Sequence, residues 1–424
     1  MKKTLIALSL LLAALPAGAQ MFPDLFGGLF GQPRVQQPAQ PQKKAVELDY
    51  DLIFNWTFVN DEFDGGRWDL CPSGTLAGAR LSPFLGIRID RGEAGVHRIL
   101  GGIDLFKEFG AHPTAAGFEA DPLLENARLI REFSLYYRLD RSFGKTDMRA
   151  VFGSFPRALT QGHYSPLIYS DAKVFYDNNF DGLLLSFRRP ASLYEIGLDW
   201  NGMYGVDRRE EFNVFTYGAS SLADWFALGW EGMFHHYADS DHAKGVVDDH
   251  ILHPWARFDF AERTGLQALR LEAGPVAYYC RDRRYPGHEF RFGGLAVTDL
   301  RQWNFGIRNY CYYGNDLLPY FADTDASGSV FGTDLYMRMR MFRVDTDPAR
   351  IPGVFDYLSL YWEPQISEFV SLHLNAAVLF NNGYSGLEQR LFLKFHLDRL
   401  GRHARKKAAA KTARRTEPTQ RIPL

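Results

Sequence analysis

The chain of 424 residues carries 48 Lys and Arg against 50 Asp and Glu, a formal net charge of −2 at pH 7, and 15% of it is aromatic. Three cysteines are too few for a disulfide framework, and beyond the first twenty residues no run of about 18 apolar residues is present, which excludes helical membrane spans. The near balance of charge hides an asymmetry: residues 401–424 hold a positive surplus of seven and residues 1–44 one of four, which leaves residues 45–400 at −13.

Residues 1–19 combine Lys2 and Lys3, an apolar run from Leu5 to Leu15, and the small residues Ala17, Gly18 and Ala19. These are the three parts of a secretory signal peptide. Residues 20–44 form a flexible segment, apolar and Gly-containing from Met21 to Gly31, then rich in Gln and Pro from Gln32 to Gln42. From Glu47 an alternation begins. Glu47, Asp49, Asp51, Asn55, Thr57 and Asp61 are interleaved with Leu48, Tyr50, Leu52, Phe54, Trp56 and Phe58. A period of two sets polar side chains on one face of a strand and apolar ones on the other. The same pattern returns in Glu132 to Asp140, in Val370 to Ala376, and in Arg390 to Asp398.

Sixteen strands are expected near 46–63, 75–91, 95–110, 127–141, 146–157, 179–189, 192–204, 209–220, 225–238, 250–263, 267–283, 287–298, 301–314, 354–367, 369–382 and 387–399. Each has the roughly 9–11 residues that a tilted strand needs to cross a bilayer. Connections after even-numbered strands are brief, as in Gly92-Glu93-Ala94, Ser142 to Lys145 and Pro190-Ala191, whereas those after odd-numbered strands include 111–126, 158–178, 239–249 and 315–353. The count is open from 14 to 18: Leu335 to Val344 could form strand instead of loop, which takes the total to eighteen or stands a β-ribbon above the membrane. A soluble β-sandwich also alternates, but one hydrophobic core rarely uses so many segments.

Residues 45–400 therefore resemble a bacterial outer-membrane β-barrel protein of the porin-like kind, in architecture and topology rather than through a motif. The resemblance implies an all-β fold, a transmembrane antiparallel up-and-down barrel of about sixteen strands, integral in the outer membrane with both termini periplasmic. It implies passive diffusion of small hydrophilic solutes through a charged lumen, with no enzyme activity, no cofactor and no nucleic-acid partner, and it allows a homotrimer. By the same resemblance the connection 158–178 is the candidate constriction. The alternative is a closed barrel acting as receptor, adhesin or scaffold through its loops, above all 315–353.

Projected inward, the strands line the lumen with Arg80, Arg88, Arg98, Arg138, Arg149, Arg188, Arg257, Arg270, Arg291 and Arg308, and with Asp49, Asp51, Asp104, Asp140, Glu195, Asp199, Asp259, Glu272 and Glu289. Such groups pair across strands, or set a field that filters solutes by size and charge. Cys280 is expected to face the lumen and Cys311 lipid on strands that are not neighbours, so they should stay unbridged, with Cys71 in a loop. Asp323, Asp325, Ser327, Gly328 and Asp334 fall at positions 1, 3, 5, 6 and 12 of a calcium loop, although the closing Glu is an Asp. His235, His236, His242, His250 and His253 with Asp239, Asp241, Asp248 and Asp249 are metal-binding residue types without tight spacing. Ser385 and His373 are the nearest approach to a hydrolase pair, on opposite ends of adjoining strands. The tail, residues 401–424, is read as basic, disordered and periplasmic, suited to anionic cell-wall or lipid groups.

Overall fold

The computed structural model describes residues 45–64, 74–109, 130–206, 208–339, 342–344, 352–364, 366–381 and 384–397. The signal peptide, the segment 20–44, Cys71 and the basic tail lie outside them.

Sixteen strands form one closed antiparallel barrel in which each pairs with its neighbours in sequence and the last pairs with the first. They are β1 (Ala45–Asp64), β2 (Gly74–Asp90), β3 (Val96–Glu108), β4 (Ile130–Phe143), β5 (Thr146–Pro156), β6 (Asn179–Arg189), β7 (Ser192–Gly202) and β8 (Glu211–Ala223). The second half comprises β9 (Phe226–Tyr237), β10 (Val247–Asp259), β11 (Ala268–Asp282), β12 (Glu289–Gln302), β13 (Phe305–Gly314), β14 (Gly353–Trp362), β15 (Val370–Asn381) and β16 (Tyr384–His396). The expected strands and their count are thus found, with ends shifted by a few residues.

One turn falls elsewhere than expected. β12 runs on to Gln302, because Asp299 and Arg301 continue its inward series and Leu300 its outward one. The turn into β13 is the pair Trp303-Asn304, with φ of 52° and 65°, and Trp303 is 79% exposed. Positive φ at both central residues matches the right-handed twist of a two-residue hairpin, and Asn tolerates it well.

The exterior is apolar. Leu48, Phe133, Leu135, Phe290 and Leu360 are all at least 60% exposed and face outward on their strands. Apolar surface on this scale, wrapped around a closed ladder, is a lipid-facing surface. Cys280 lies buried on the inner face and Cys311 on the outer face, and both are free thiols.

The core is inside the barrel. Val151, Phe155, Leu184, Phe215, Met233, Ile251, Val276, Tyr312, Phe355 and Leu379 point inward and are at most 1% exposed. They meet Leu167 and Ile168 from the connection between β5 and β6, and Leu317, Leu318, Leu335, Phe342 and Val344 from that between β13 and β14. The described part of segment 335–344 is therefore neither a strand nor a ribbon above the membrane, and packs into the lumen after the single helical turn Gly332–Leu335.

An arginine placed on the outer face should be far costlier than one placed inside. For Leu135→Arg, 65% exposed near the middle of β4, a loss of about 2–4 kcal/mol is expected. Urea titration of the protein folded into vesicles reads it, and an unchanged midpoint contradicts the lipid-facing assignment.

Candidate functional site

The nineteen lumen-lining residues inferred from the sequence all occupy inward positions by register, and the ladder sets oppositely charged members beside one another. On β2 to β5, Asp140 is a hub: Arg138 and Arg149 donate to it at 2.7 and 3.0 Å, and Arg98 pairs with it while donating to Asp49 at 3.1 Å. Arg88 bridges Glu47 and Asp90, each at 3.0 Å. Higher on the same arc Arg80 pairs with Asp104, which also accepts from Ser82 at 2.9 Å. Across the barrel Arg257 pairs with Glu272 and Arg270 with Asp259, both at 2.6 Å. Arg291 reaches Asp316 at 3.3 Å and Arg308 reaches Asp299 at 3.5 Å. Arg188 donates to Gln161 at 2.7 Å instead of to a carboxylate.

Two others, Glu195 and Asp199, hold the connection between β5 and β6. Glu195 accepts from the backbone N–H groups of Gln161 and Gly162 and from the Tyr164 hydroxyl, at 2.8, 3.3 and 3.1 Å. Glu231 on β9 accepts from the N–H and hydroxyl of Ser165 at 2.7 and 2.5 Å, and contacts His253 Nδ1 at 3.1 Å. Asp199 pairs at 3.1 Å with Arg157, which also pairs with Asp177 at 2.7 Å. Burial disfavours the charged form of Asp177, but the Arg157 and Lys173 charges outweigh it and hold the carboxyl below its usual range. The connection 157–178 is thus drawn inward by three wall carboxylates, Glu195, Glu231 and Asp199.

The second connection is tied to the first and to the wall. Ser170 N–H donates to Met337 C=O at 2.7 Å, and Met339 N–H to Pro166 C=O at 2.9 Å. Arg338 is wholly buried, pairs with Asp249 of β10, and donates to Leu317 C=O at 2.9 Å. Glu195 and Asp199 apart, the contacts that locate both loops come from Glu231, Asp249, Arg157 and Arg338, none of which the sequence reading placed in the lumen wall. A lone Glu231 at an inward position of a largely apolar strand was the one available signal.

What stays open lies between the 157–178 connection and the wall of β8 to β16. A cavity of about 540 Å³ separates the connection 157–178 from the wall of β13 to β16, and one of about 560 Å³ separates it from β8 to β13. His163, Tyr164, Arg308 and Tyr310 line both.

The other candidate sites are not assembled. Asp325 accepts from Ser327 N–H and hydroxyl, at 2.7 and 2.6 Å, from Ser329 N–H at 3.0 Å, and pairs with Arg209. Burial opposes its ionisation, and the Ser327 and Arg209 hydrogen bonds outweigh that and keep the carboxyl low. These bonds occupy the oxygens a calcium ion would need, and Asp323, Ser327 and Asp334 gather no site with it: among the described residues no three acidic, His or Cys side chains are grouped as metal ligands. The histidine cluster is dispersed by the alternation, His236 meeting Asp248 and His253 meeting Glu231 while His250 stacks on Tyr279. His373 contacts Glu363 at 2.8 Å and is level with Phe392, whereas Ser385 pairs with Phe380. Seven residues along a strand is roughly 23 Å, so Ser385 and His373 do not meet.

A closed sixteen-strand ladder, an apolar outer face and a charged inner wall narrowed by inward connections define a transmembrane β-barrel of porin-like architecture. No protein-family model matches the chain, and no curated protein matches it. Among solved structures it is similar to a loop-deletion form of OmpT, an outer membrane protein of Vibrio cholerae, with 7% identity, a TM-score of 0.48, and coverage of 83% of this chain and 100% of that one. It is also similar to a mutant Rh. blastica porin (10%, TM-score 0.38, 82% and 100%) and to Pseudomonas aeruginosa OpdK solved with vanillate (11%, TM-score 0.36, 82% and 98%). Likeness this distant stands beside the barrel's own geometry and says nothing about a solute.

Removing the Arg338 charge strands Asp249 in the core. Arg338→Met is expected to cost about 3–5 kcal/mol, and the double change with Asp249→Leu to recover most of it. Denaturant midpoints of the folded protein in detergent report this, with equal loss in single and double variants as the contrary result.

Proposed function

We propose that this protein is an outer-membrane channel for small hydrophilic solutes, with both termini periplasmic, in which two inward connections restrict the path to the side of the lumen bordered by β8 to β16. The observation that carries this reading is the pair of cavities bordering the 157–178 connection, which share His163, Tyr164, Arg308 and Tyr310. Each is large enough for one small molecule and too small for a macromolecular ligand. Charges on the wall are paired locally, so they stabilise the wall and still present a polar surface to solutes. Passage of this kind needs positioning and field, not covalent chemistry, so no enzyme activity is assigned.

A second reading draws on a specific observation, the apolar core that joins both connections to the β5 to β15 arc. A lumen sealed by that core would make the protein a closed barrel acting as receptor, adhesin or scaffold through its outer loops.

Single-channel recording in a planar bilayer separates the two. Steady openings of small conductance are expected from the full chain, and replacing residues 162–176 by a short Gly/Ser link should raise the conductance by about twofold or more, since the obstruction is removed. Silence from protein shown to be folded, in both forms, overturns the channel reading.

A further inference from the structure

The 540 Å³ cavity is one-sided in charge. Arg157, Arg308, Arg390, His163 and His373 contribute to its lining, and among the described residues no carboxylate does. The carboxylates that pair with these groups lie outside the lining: Asp199 and Asp177 pair with Arg157 at 3.1 and 2.7 Å, Glu388 with Arg390 at 2.5 Å, and Glu363 with His373 at 2.8 Å. A solute inside the cavity therefore meets the cationic ends of these pairs first.

Arg308 is the least engaged of the arginines. Among the described residues its one ion pair is the long contact to Asp299 at 3.5 Å, while the Tyr361 hydroxyl donates to the same carboxylate at 2.5 Å. The guanidinium lies 4.9 Å over the Tyr361 ring and its side chain keeps 34% of its exposure. Five N–H donors in a planar fork, with one distant partner, leave a face suited to a carboxylate. His163, opposite on the connection, senses the same surplus: burial first, then the charges of Arg257, Arg270, Arg188 and Arg308, hold its imidazole below the usual range. Four arginines acting on one lumenal point mark a positive potential there, within a barrel whose residues 45–400 sum to −13.

We propose that this cavity binds small monovalent organic anions, the Arg308 guanidinium taking the carboxylate and the Tyr310 and Tyr361 rings flanking the body of the solute. The site gives the channel reading its solute class and rests on that reading for its purpose. Its binding chemistry can be tested without conduction.

The experiment is calorimetric titration of the folded full chain in detergent, at low salt, with sodium phenylacetate and with its neutral isostere phenylacetamide. The acid is expected to bind about tenfold tighter than the amide, a difference that one charge-assisted contact supplies. Arg308→Gln should remove most of that preference, and Arg308→Lys, which keeps the charge and loses the fork, should retain part of it. If the Gln variant does not fold, a weakened preference in the Lys variant carries the same test. Equal binding of acid and amide, or a preference untouched in folded Arg308 variants, overturns the proposal. Arg308-dependent binding by protein that is silent in the bilayer keeps the anion site and removes the channel reading. Conduction with charge-indifferent binding does the reverse.

Discussion

In hydrocarbon a main-chain N–H or C=O has no solvent to bond, so a sheet can cross only if its ladder has no edge. The pairing of β1 with β16, from Ile53 with His396 to Asp64 with Ser385, is what removes the edge here. Everything else follows from that closure. It assigns every second residue to lipid, which sets the apolar exterior, and it encloses a volume that the remaining residues have to line or fill.

The chain meets the second demand in two ways around the circumference. On β2 to β5 the inner wall is ionic, with Asp140 shared by Arg98, Arg138 and Arg149, so that no side chain is left with an isolated charge in a partly desolvated place. On β5 to β15, toward the ends that carry the long connections, the inner wall is apolar, and the partners it needs arrive from loops. Glu195, Glu231 and Asp249 work between these regimes. Each is an inward carboxylate nearly or fully buried and takes partners from a loop, to which Ser186 adds for Glu195 and His253 for Glu231 from the neighbouring strands.

The wall was legible in the sequence because its signal is local. Alternation over Glu47 to Phe58 or Glu132 to Asp140 fixes which residues face inward, and the brevity of turns such as Pro190-Ala191 fixes how strands are joined. The turn at Trp303-Asn304 was misplaced by a few residues because neither residue announces a break while Asp299 and Arg301 keep the period. The filling of the lumen was not legible. Val151 and Phe152, or Tyr312 and Tyr313, are apolar on both faces, so alternation fails where the inner face meets a loop instead of water. Leu167, Leu317 and Phe342 look like ordinary loop residues until the wall that buries them is in place, and the pairing of Arg338 with Asp249 joins segments remote in sequence. The calcium spacing misled for a related reason: Asp325 spends its oxygens on Ser327, Ser329 and Arg209, and spacing does not register competition of that kind.

The main-chain bonds between Ser170 and Met337, and between Met339 and Pro166, connect parts of the chain on either side of eight strands. Each connection supplies part of the apolar surface on which the other is packed, so the two behave as one stopper made of segments remote in sequence. A cut in either one therefore loosens both.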